Sequence, residues 1–259
     1  MTLTSANESG TPDPLAHDRR IRFEAVFNAR DLGGLPTSDR KRTVRRGLVF
    51  RADGVHRLDG ADLEVARALG LRTVIDLRTR GEVERGRFPE ALGATWHHLP
   101  FITEMWSERE LVIADGPVPF LRDRYLEMLV EGQASRARAL ELVAEATPLL
   151  FHCAAGKDRT GVMAAVVLGL LGVANDDIAA DYHLSAAAMT EFTAWITAAY
   201  PEAIDSMTNQ PKEYLEAPAE AMHQFLDRID AQHGSMEGLV DAIGIHPAVV
   251  TRMRENLLE

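Results

Sequence analysis

A second cysteine is missing from this chain of 259 residues: Cys153 stands alone, so no internal disulfide can form, and the sequence points to a reducing, cytoplasmic setting. Also missing is any apolar run of the about 18 residues that a membrane-spanning helix requires; even Val162 to Val173 is too short. Residues 1–20 lack the basic-then-apolar order of a cleaved export signal. Positive charge is in deficit, because 28 Lys and Arg against 39 Asp and Glu leave a formal net charge of −11. That balance disfavours non-specific binding to nucleic acid or to anionic lipid, so a substrate's negative charge must be met locally by a few placed groups. His97 and His98 are adjacent, but no third ligand stands at a recognisable spacing and neighbouring residues on a strand face opposite sides. No metal and no cofactor are assigned. The hydrophobic content, 46%, is ample for the core of one large domain.

What the chain does have is one dense stretch, Phe151-His152-Cys153-Ala154-Ala155-Gly156-Lys157-Asp158-Arg159-Thr160-Gly161. Pro148 to Phe151 reads as a short buried strand, and Val162 to Leu171, stopped by Gly172, as a buried helix. Cys153 therefore falls where a strand gives way to a helix. There the backbone N–H groups of the loop and of the first helical turn lack intrahelical partners and can converge on an anion, helped by the positive end of the helix dipole. Ala154, Ala155, Gly156, Lys157, Asp158 and Arg159 are the candidate phosphate-binding residues. Cations beside a helix N-terminus favour the thiolate, which is the nucleophilic form of cysteine. Arg159 brings a planar fork that matches two phosphate oxygens, and Lys157 adds a second cation. By position, the Thr160 hydroxyl is expected to bond the thiolate and His152 to order the loop from behind through backbone carbonyls. The pair Gly156-Lys157 does not make a nucleotide-binding loop, which needs a Gly five residues earlier and a Ser or Thr after the Lys; Phe151 and Asp158 stand there.

His-Cys, five residues, then Arg-Thr resembles the signature of the cysteine-dependent protein tyrosine phosphatase superfamily. The fuller run His152 to Gly161 is similar to that of bacterial atypical phosphatases described as acting on both phosphoproteins and phosphoinositides. The similarity extends through Asn28 to Gly34, Val49 to Asp53, Val74 to Arg78 and Gly234 to Leu258. The resemblance implies an α/β fold with a central mixed or parallel sheet flanked by helices, a phosphocysteine intermediate formed without metal or cofactor, and a phosphorylated protein or phosphoinositide as partner. It also implies a helical lid inserted at about residues 176–232. Members of this group can leave the cell without a recognisable cleaved signal.

The rest of the chain fits that frame. Residues 1–20, rich in Ser, Asn, Gly and Pro, read as a mobile tail, and the phosphatase domain as 21–259. The alternation of Ile21 to Phe27 leads into the turn-rich Asn28 to Gly34. The basic run Arg40, Lys41, Arg42, Arg45 and Arg46 lies between turn signals, as in a solvated hairpin. Gly47 to Arg51 and Arg72 to Leu77 read as strands around a helix bearing Leu63, Ala66 and Leu69, and Thr95 to Leu99 as another strand. Helices are expected at about 119–131 and 135–146, from an N-cap at Asn175, and with apolar faces Met189, Phe192, Ile196 and Met222, Phe225, Leu226, Ile229. Two short helices meet near Gly244, with Pro247 in the first turn of the last.

A phosphatase of this kind needs an acid to protonate the leaving oxygen. Asp115 and Asp123 lie where tyrosine phosphatases carry a mobile acid loop, but neither has the Trp-Pro-Asp context, so that role is not carried over. Asp158, inside the loop, and Asp76, at the end of the Asp-Leu-Arg strand, are ranked equally. The sequence-level reading is therefore a metal-independent phosphotyrosine phosphatase, with phosphoserine, phosphothreonine and phosphoinositide as further substrates. Cys153, Arg159 and Asp158 or Asp76 carry its catalysis. A phosphate-binding module without turnover and a rhodanese-like sulfurtransferase are the alternatives; Arg159-Thr160-Gly161 at this register suits phosphate better than persulfide.

Overall fold

The computed structural model describes residues 19–86, 88–104, 116–199 and 216–259. Five strands, β1 (Arg30–Asp31), β2 (Val49–Ala52), β3 (Thr73–Asp76), β4 (Thr95–His98) and β5 (Leu149–His152), form one sheet in the order β1-β2-β5-β3-β4. β1 runs antiparallel to β2, and the other neighbours are parallel. Helices cover both faces: α1 (Gly60–Ala68), α2 (Arg80–Glu84), α3 (Pro117–Glu131), α4 (Gln133–Glu145), α5 (Asp158–Leu170), α6 (Asn175–His183), α7 (Ser185–Ala199), α8 (Ala219–His233), α9 (Met236–Ala242) and α10 (Pro247–Leu257). This is the α/β architecture that the strand and helix signals predict.

Strand side chains divide between two apolar clusters with a period of two. Val49, Ile75, Leu149 and Phe151 enter the larger cluster, while Phe50, Ala52, Val74 and Leu150 enter a smaller one closed by Val26, Ala29, Leu58 and Ala66. β2, β3 and β5 are buried along their whole length, which is why they read as continuous apolar runs rather than as alternating ones. The larger cluster surrounds α5, buried from Arg159 to Leu168. α3, α6 and α9 pack on α5, and α8 packs on α3 and α6 through Met222, Phe225, Leu226 and Ile229. α8, expected within a lid, thus buries its apolar face in the core. α7 contributes only Ser185, Ala188 and Met189 to the interior.

The register brings Ala52, His152, Asp76 and His98 side by side at one end of the sheet. The segments that follow these residues emerge together at the carboxyl edge, where ligands sit in parallel α/β sheets. The hairpin carrying the basic run turns at the opposite end, with Pro36 bridged to Thr43 and Arg40, Lys41, Arg42, Arg45 and Arg46 exposed. Ile21 to Phe27 alternates in exposure without pairing as a strand. At α6 the N-cap is Ala174 rather than Asn175, because Ala174 holds the extended backbone and the Asn175 amide is drawn away to Asp230 Oδ2 at 3.0 Å. Among the described residues, no helix is long and apolar enough to cross a membrane.

Candidate active site

The loop between β5 and α5 is held by its carbonyls. Ala154 O accepts from Gly54 N at 3.0 Å, Ala155 O from Asn28 Nδ2 at 3.0 Å, Gly156 O from Arg51 Nη2 at 2.8 Å, and Lys157 O from Gly161 N at 2.7 Å. In a trans peptide the carbonyl and the next N–H point opposite ways. With the first three carbonyls bonded outward and that of Lys157 in the first turn of α5, the N–H groups of Ala155, Gly156, Lys157 and Asp158 face the other way, at the N-terminus of α5. Converging amides at a helix N-terminus make an anion cradle. Gly156 permits it: its φ is +67°, and an added Cβ would stand 2.7 Å from Asp53 N and 2.8 Å from Ala52 O. A Cβ at Gly161 would meet the Tyr182 ring at 2.9 Å, so this glycine lets α6 close on α5.

Cys153 sits at the start of this loop, 2% exposed. His152 behind it is fully buried, with Nδ1 3.3 Å from Cys153 O and Nε2 3.6 Å from Asp76 Oδ2. Burial pushes His152 down to about 4, so the ring is neutral at pH 7 and Asp76 carries the charge of the pair. Burial opposes ionisation of Asp76 too, but His152 and the Arg78 guanidinium outweigh it and hold the carboxyl well below the usual range. Arg78 grips Asp76 through Nε at 2.9 Å and Nη2 at 2.7 Å. Asp76 is fully buried in this pairing. Thr160 Oγ1 is buried and bonds no group among the described residues, so the expected bond to the Cys153 thiol is not formed.

Asp158 is placed differently. Its side chain keeps 17% of its surface, Lys157 Nζ lies 2.9 Å from Oδ1, and the Tyr125 hydroxyl donates to the same oxygen at 2.6 Å. The Tyr125 and Tyr182 hydroxyls stand 2.6 Å apart. Burial and the Asp158 charge push Tyr125 well above its ordinary value, so it stays a protonated donor. Asp123 lies on α3 at the surface, paired with Arg122 at 2.7 Å, and Asp115 lies outside the described residues. His98 Nε2 is 2.8 Å from Arg78 O.

Sequence reading missed three supports. Glu82 holds Arg159 by both terminal nitrogens, at 2.5 Å and 2.9 Å. The signal available was Thr79-x-x-Glu82, a capping box that opens α2. Asp181, read only as part of a helix, gathers Arg19 at 2.8 Å, Arg30 at 3.1 Å and Arg51 at 2.7 Å, all buried. Burial opposes its charge, but the three guanidinium groups hold Asp181 far below the carboxylate range, while burial beside Arg51 pushes Arg30 down to about 9. Beside the loop, Arg57 pairs with Asp53 and lies 4.8 Å from the Trp195 ring centroid, 5.4 Å from that of Phe192 and 6.0 Å from that of Phe27. The aromatic face of α7 thus rests on residues adjoining the cradle.

Fold and site together define an α/β protein with the loop of its lone cysteine, and an arginine fixed by Glu82, at the carboxyl edge of its sheet. The chain belongs to the tyrosine phosphatase family, whose sequence model matches residues 21–259. It is 31% identical over 281 residues to the triple specificity protein phosphatase PtpB of Mycobacterium tuberculosis, covering 90% of this chain and 97% of that one. It is 32% identical over 249 residues to a putative tyrosine-protein phosphatase of Cupriavidus necator, covering 90% and 86%. The structure of the Siw14 catalytic core aligns with 73% of this chain and 92% of that one, at 14% identity and a TM-score of 0.34. The protein is accordingly a phosphoric monoester hydrolase of the tyrosine or dual-specificity type.

Proposed function

We propose that the protein hydrolyses phosphotyrosine monoesters by attack of Cys153 on phosphorus, through a phosphocysteine intermediate and without metal. The observation that carries this reading is the bonding of the carbonyls of Ala154, Ala155 and Gly156 outward and of Lys157 into α5, which leaves the amides that follow them for an anion beside the thiol. Donors fixed before the reaction stabilise charge on the equatorial oxygens as it develops, without reorganisation. Arg159 adds a cation to the same place.

Of the two acids, the geometry favours Asp158. It is partly exposed beside the loop, whereas Asp76 is fully buried and spends both carboxylate oxygens on Arg78. Asp158 would protonate the leaving oxygen and then accept a proton from the water that cleaves phosphocysteine. Asp76 is better placed to orient Arg78 and His152 behind the loop.

Lys157 favours substrates with additional phosphates, which extends the reading to phosphoinositides; a relative named for triple specificity supports a range that includes phosphoserine and phosphothreonine. Of the expected lid at 176–232, residues 200–215 lie outside the described residues; among the described ones α6 and α8 belong to the core, and α7 is the helix we assign to a cover. A single free thiol suits a reducing compartment such as the cytoplasm.

The test is hydrolysis of a phosphotyrosine peptide and of a phosphoinositide in the presence of chelator, for wild type and Cys153→Ser, with trapping of the phosphoenzyme. Turnover that survives chelator, vanishes in the variant and leaves a thiol-linked phosphate is expected. Tight phosphate binding with no turnover would instead indicate a binding module.

A further inference from the structure

Asp158 is gripped by one carboxylate oxygen and not by the other. The Tyr125 hydroxyl, from α3, donates to Oδ1 at 2.6 Å, and Lys157 Nζ lies 2.9 Å from the same atom. Oδ2 bonds no group among the described residues. A tyrosine hydroxyl has one proton to give, and that of Tyr125 goes to Asp158. The Tyr182 hydroxyl, 2.6 Å from it, must therefore donate to Tyr125 rather than accept from it. The ring that carries the Tyr125 hydroxyl is fully buried and held edge-on from two sides, by Tyr182 of α6 and by Phe225 of α8, each with centroids 6.0 Å away. Burial and the Asp158 charge push Tyr125 up, so the donor keeps its proton at neutral pH.

We infer that Tyr125 is a positioning residue for the acid–base steps: by holding Oδ1 of Asp158 it leaves Oδ2 as the oxygen that exchanges protons with substrate and water. This rests on the reading of Asp158 as the general acid. When Asp158 is protonated, the proton stands on Oδ2, because Oδ1 already receives two donors, and Oδ1 goes on accepting from Tyr125 as a carbonyl oxygen. Once Oδ2 has passed its proton to the leaving oxygen, Oδ1 accepts as part of a carboxylate. The same Oδ2 then takes a proton from the water that cleaves phosphocysteine. The Tyr125 bond thus outlasts both halves of the reaction and keeps one oxygen aimed throughout. Lys157 does not supply this alone, since its ammonium rides on a flexible four-carbon stem, whereas the Tyr125 hydroxyl is carried on a clamped ring.

Tyr125→Phe keeps the ring and deletes the donor. Its kcat/KM, which reports the steps through phosphocysteine formation, is measured for phenyl phosphate, whose leaving oxygen needs a proton, and for 4-nitrophenyl phosphate, whose electron-poor anion departs without one. Tungstate binding is measured beside it as a readout of the loop alone. A placed acid contributes about 100-fold or more, and partial loss of its placement is expected to cost Tyr125→Phe about 10-fold on phenyl phosphate but no more than about twofold on 4-nitrophenyl phosphate, with tungstate binding unchanged. Asp158→Asn is expected to split the two substrates further in the same direction. A purely structural role for Tyr125 predicts equal losses on both substrates, and that result, or no loss on either, would overturn the inference. Should Tyr125→Phe not fold, Tyr182→Phe, which removes the donor behind Tyr125, decides: a smaller split in the same direction is expected, and equal losses sink the idea. A split in Asp158→Asn with none in Tyr125→Phe defeats only this inference. No split in Asp158→Asn defeats the reading of Asp158 as the acid as well.

Discussion

β5 has two neighbours in the sheet, and they serve the loop it feeds in different ways. From the β2 side come Arg51, Asn28 and Gly54, and all three bond backbone carbonyls of the loop. From the β3 side come Asp76, Arg78 and Glu82, which act on side chains: Asp76 approaches His152, and Glu82 holds Arg159. One flank fixes the backbone of the loop and the other fixes side chains beside it. The charges differ correspondingly. On the β2 flank, three buried arginines share the carboxylate Asp181, whereas on the β3 flank Arg78 pairs with Asp76 and Arg159 with Glu82.

The largest effect that separates the flanks is expected at Asp181. Breaking a buried ion cluster by removing the anion its arginines share leaves uncompensated charge, at about 3–5 kcal/mol. Asp181→Asn should lower the urea midpoint by a corresponding amount. An unchanged midpoint would mean that the β2 flank does not depend on its shared carboxylate.

Gly156→Ala comes next. Its cost combines a left-handed backbone with collision against the β2 strand end, together about 1–3 kcal/mol of strain. Activity, assayed well below the melting temperature, should fall by much more than the stability change alone explains, because the loop amides are displaced. Full activity in this variant would show that the cradle tolerates a different loop path.

The most graded effect is set by pH. His152 and His56, each pushed down to about 4 from 6.5 by burial, exclude protons that the unfolded chain binds. Stability should therefore be full above about pH 6.5 and should fall as pH drops toward 4, by up to about 1.4 kcal/mol per pH unit for the fully buried His152 and by less for His56, which solvent screens. His56 contacts Arg78 Nη1 at 3.0 Å, so His56→Asn should flatten this slope in part while leaving the contribution of the β2 flank unchanged. A slope identical to that of wild type would locate the proton uptake elsewhere.

The loop was legible in the sequence because its chemistry is local. Cys153 to Arg159 lie within one turn-and-helix start, and the runs around them carry the period and punctuation of strand and helix. β2, β3 and β5 were legible for the same reason. The supports were not. Glu82 and Arg159 are separated by 77 residues and Arg30 and Asp181 by 151, and a charge pair formed at such a distance leaves no periodic trace. The Thr79-x-x-Glu82 box announces a helix start but not that its glutamate has a second use. Asp76 and Asp158 could not be ranked by spacing, since the difference between them is burial: one is enclosed with Arg78 and the other remains partly open beside Tyr125. α7 and α8 have similar apolar faces in sequence, and only packing shows that one lies in the core and the other rests its aromatic residues on Arg57.

Where the domain begins is a chemical matter more than an alignment matter. The family match opens at residue 21, yet Arg19 is 3% exposed and bonds both Asp181 Oδ1 at 2.8 Å and Asp31 O at 3.1 Å. A chain trimmed to the matched boundary would surrender a cation from the cluster at Asp181 and leave the end of β1 without its clasp. Two residues outside the recognisable family region thus belong to the folded unit, Arg19 through this bond and Arg20 through its pair with Glu191 on α7. The first segment and the helix beside the site are stitched together before any substrate arrives.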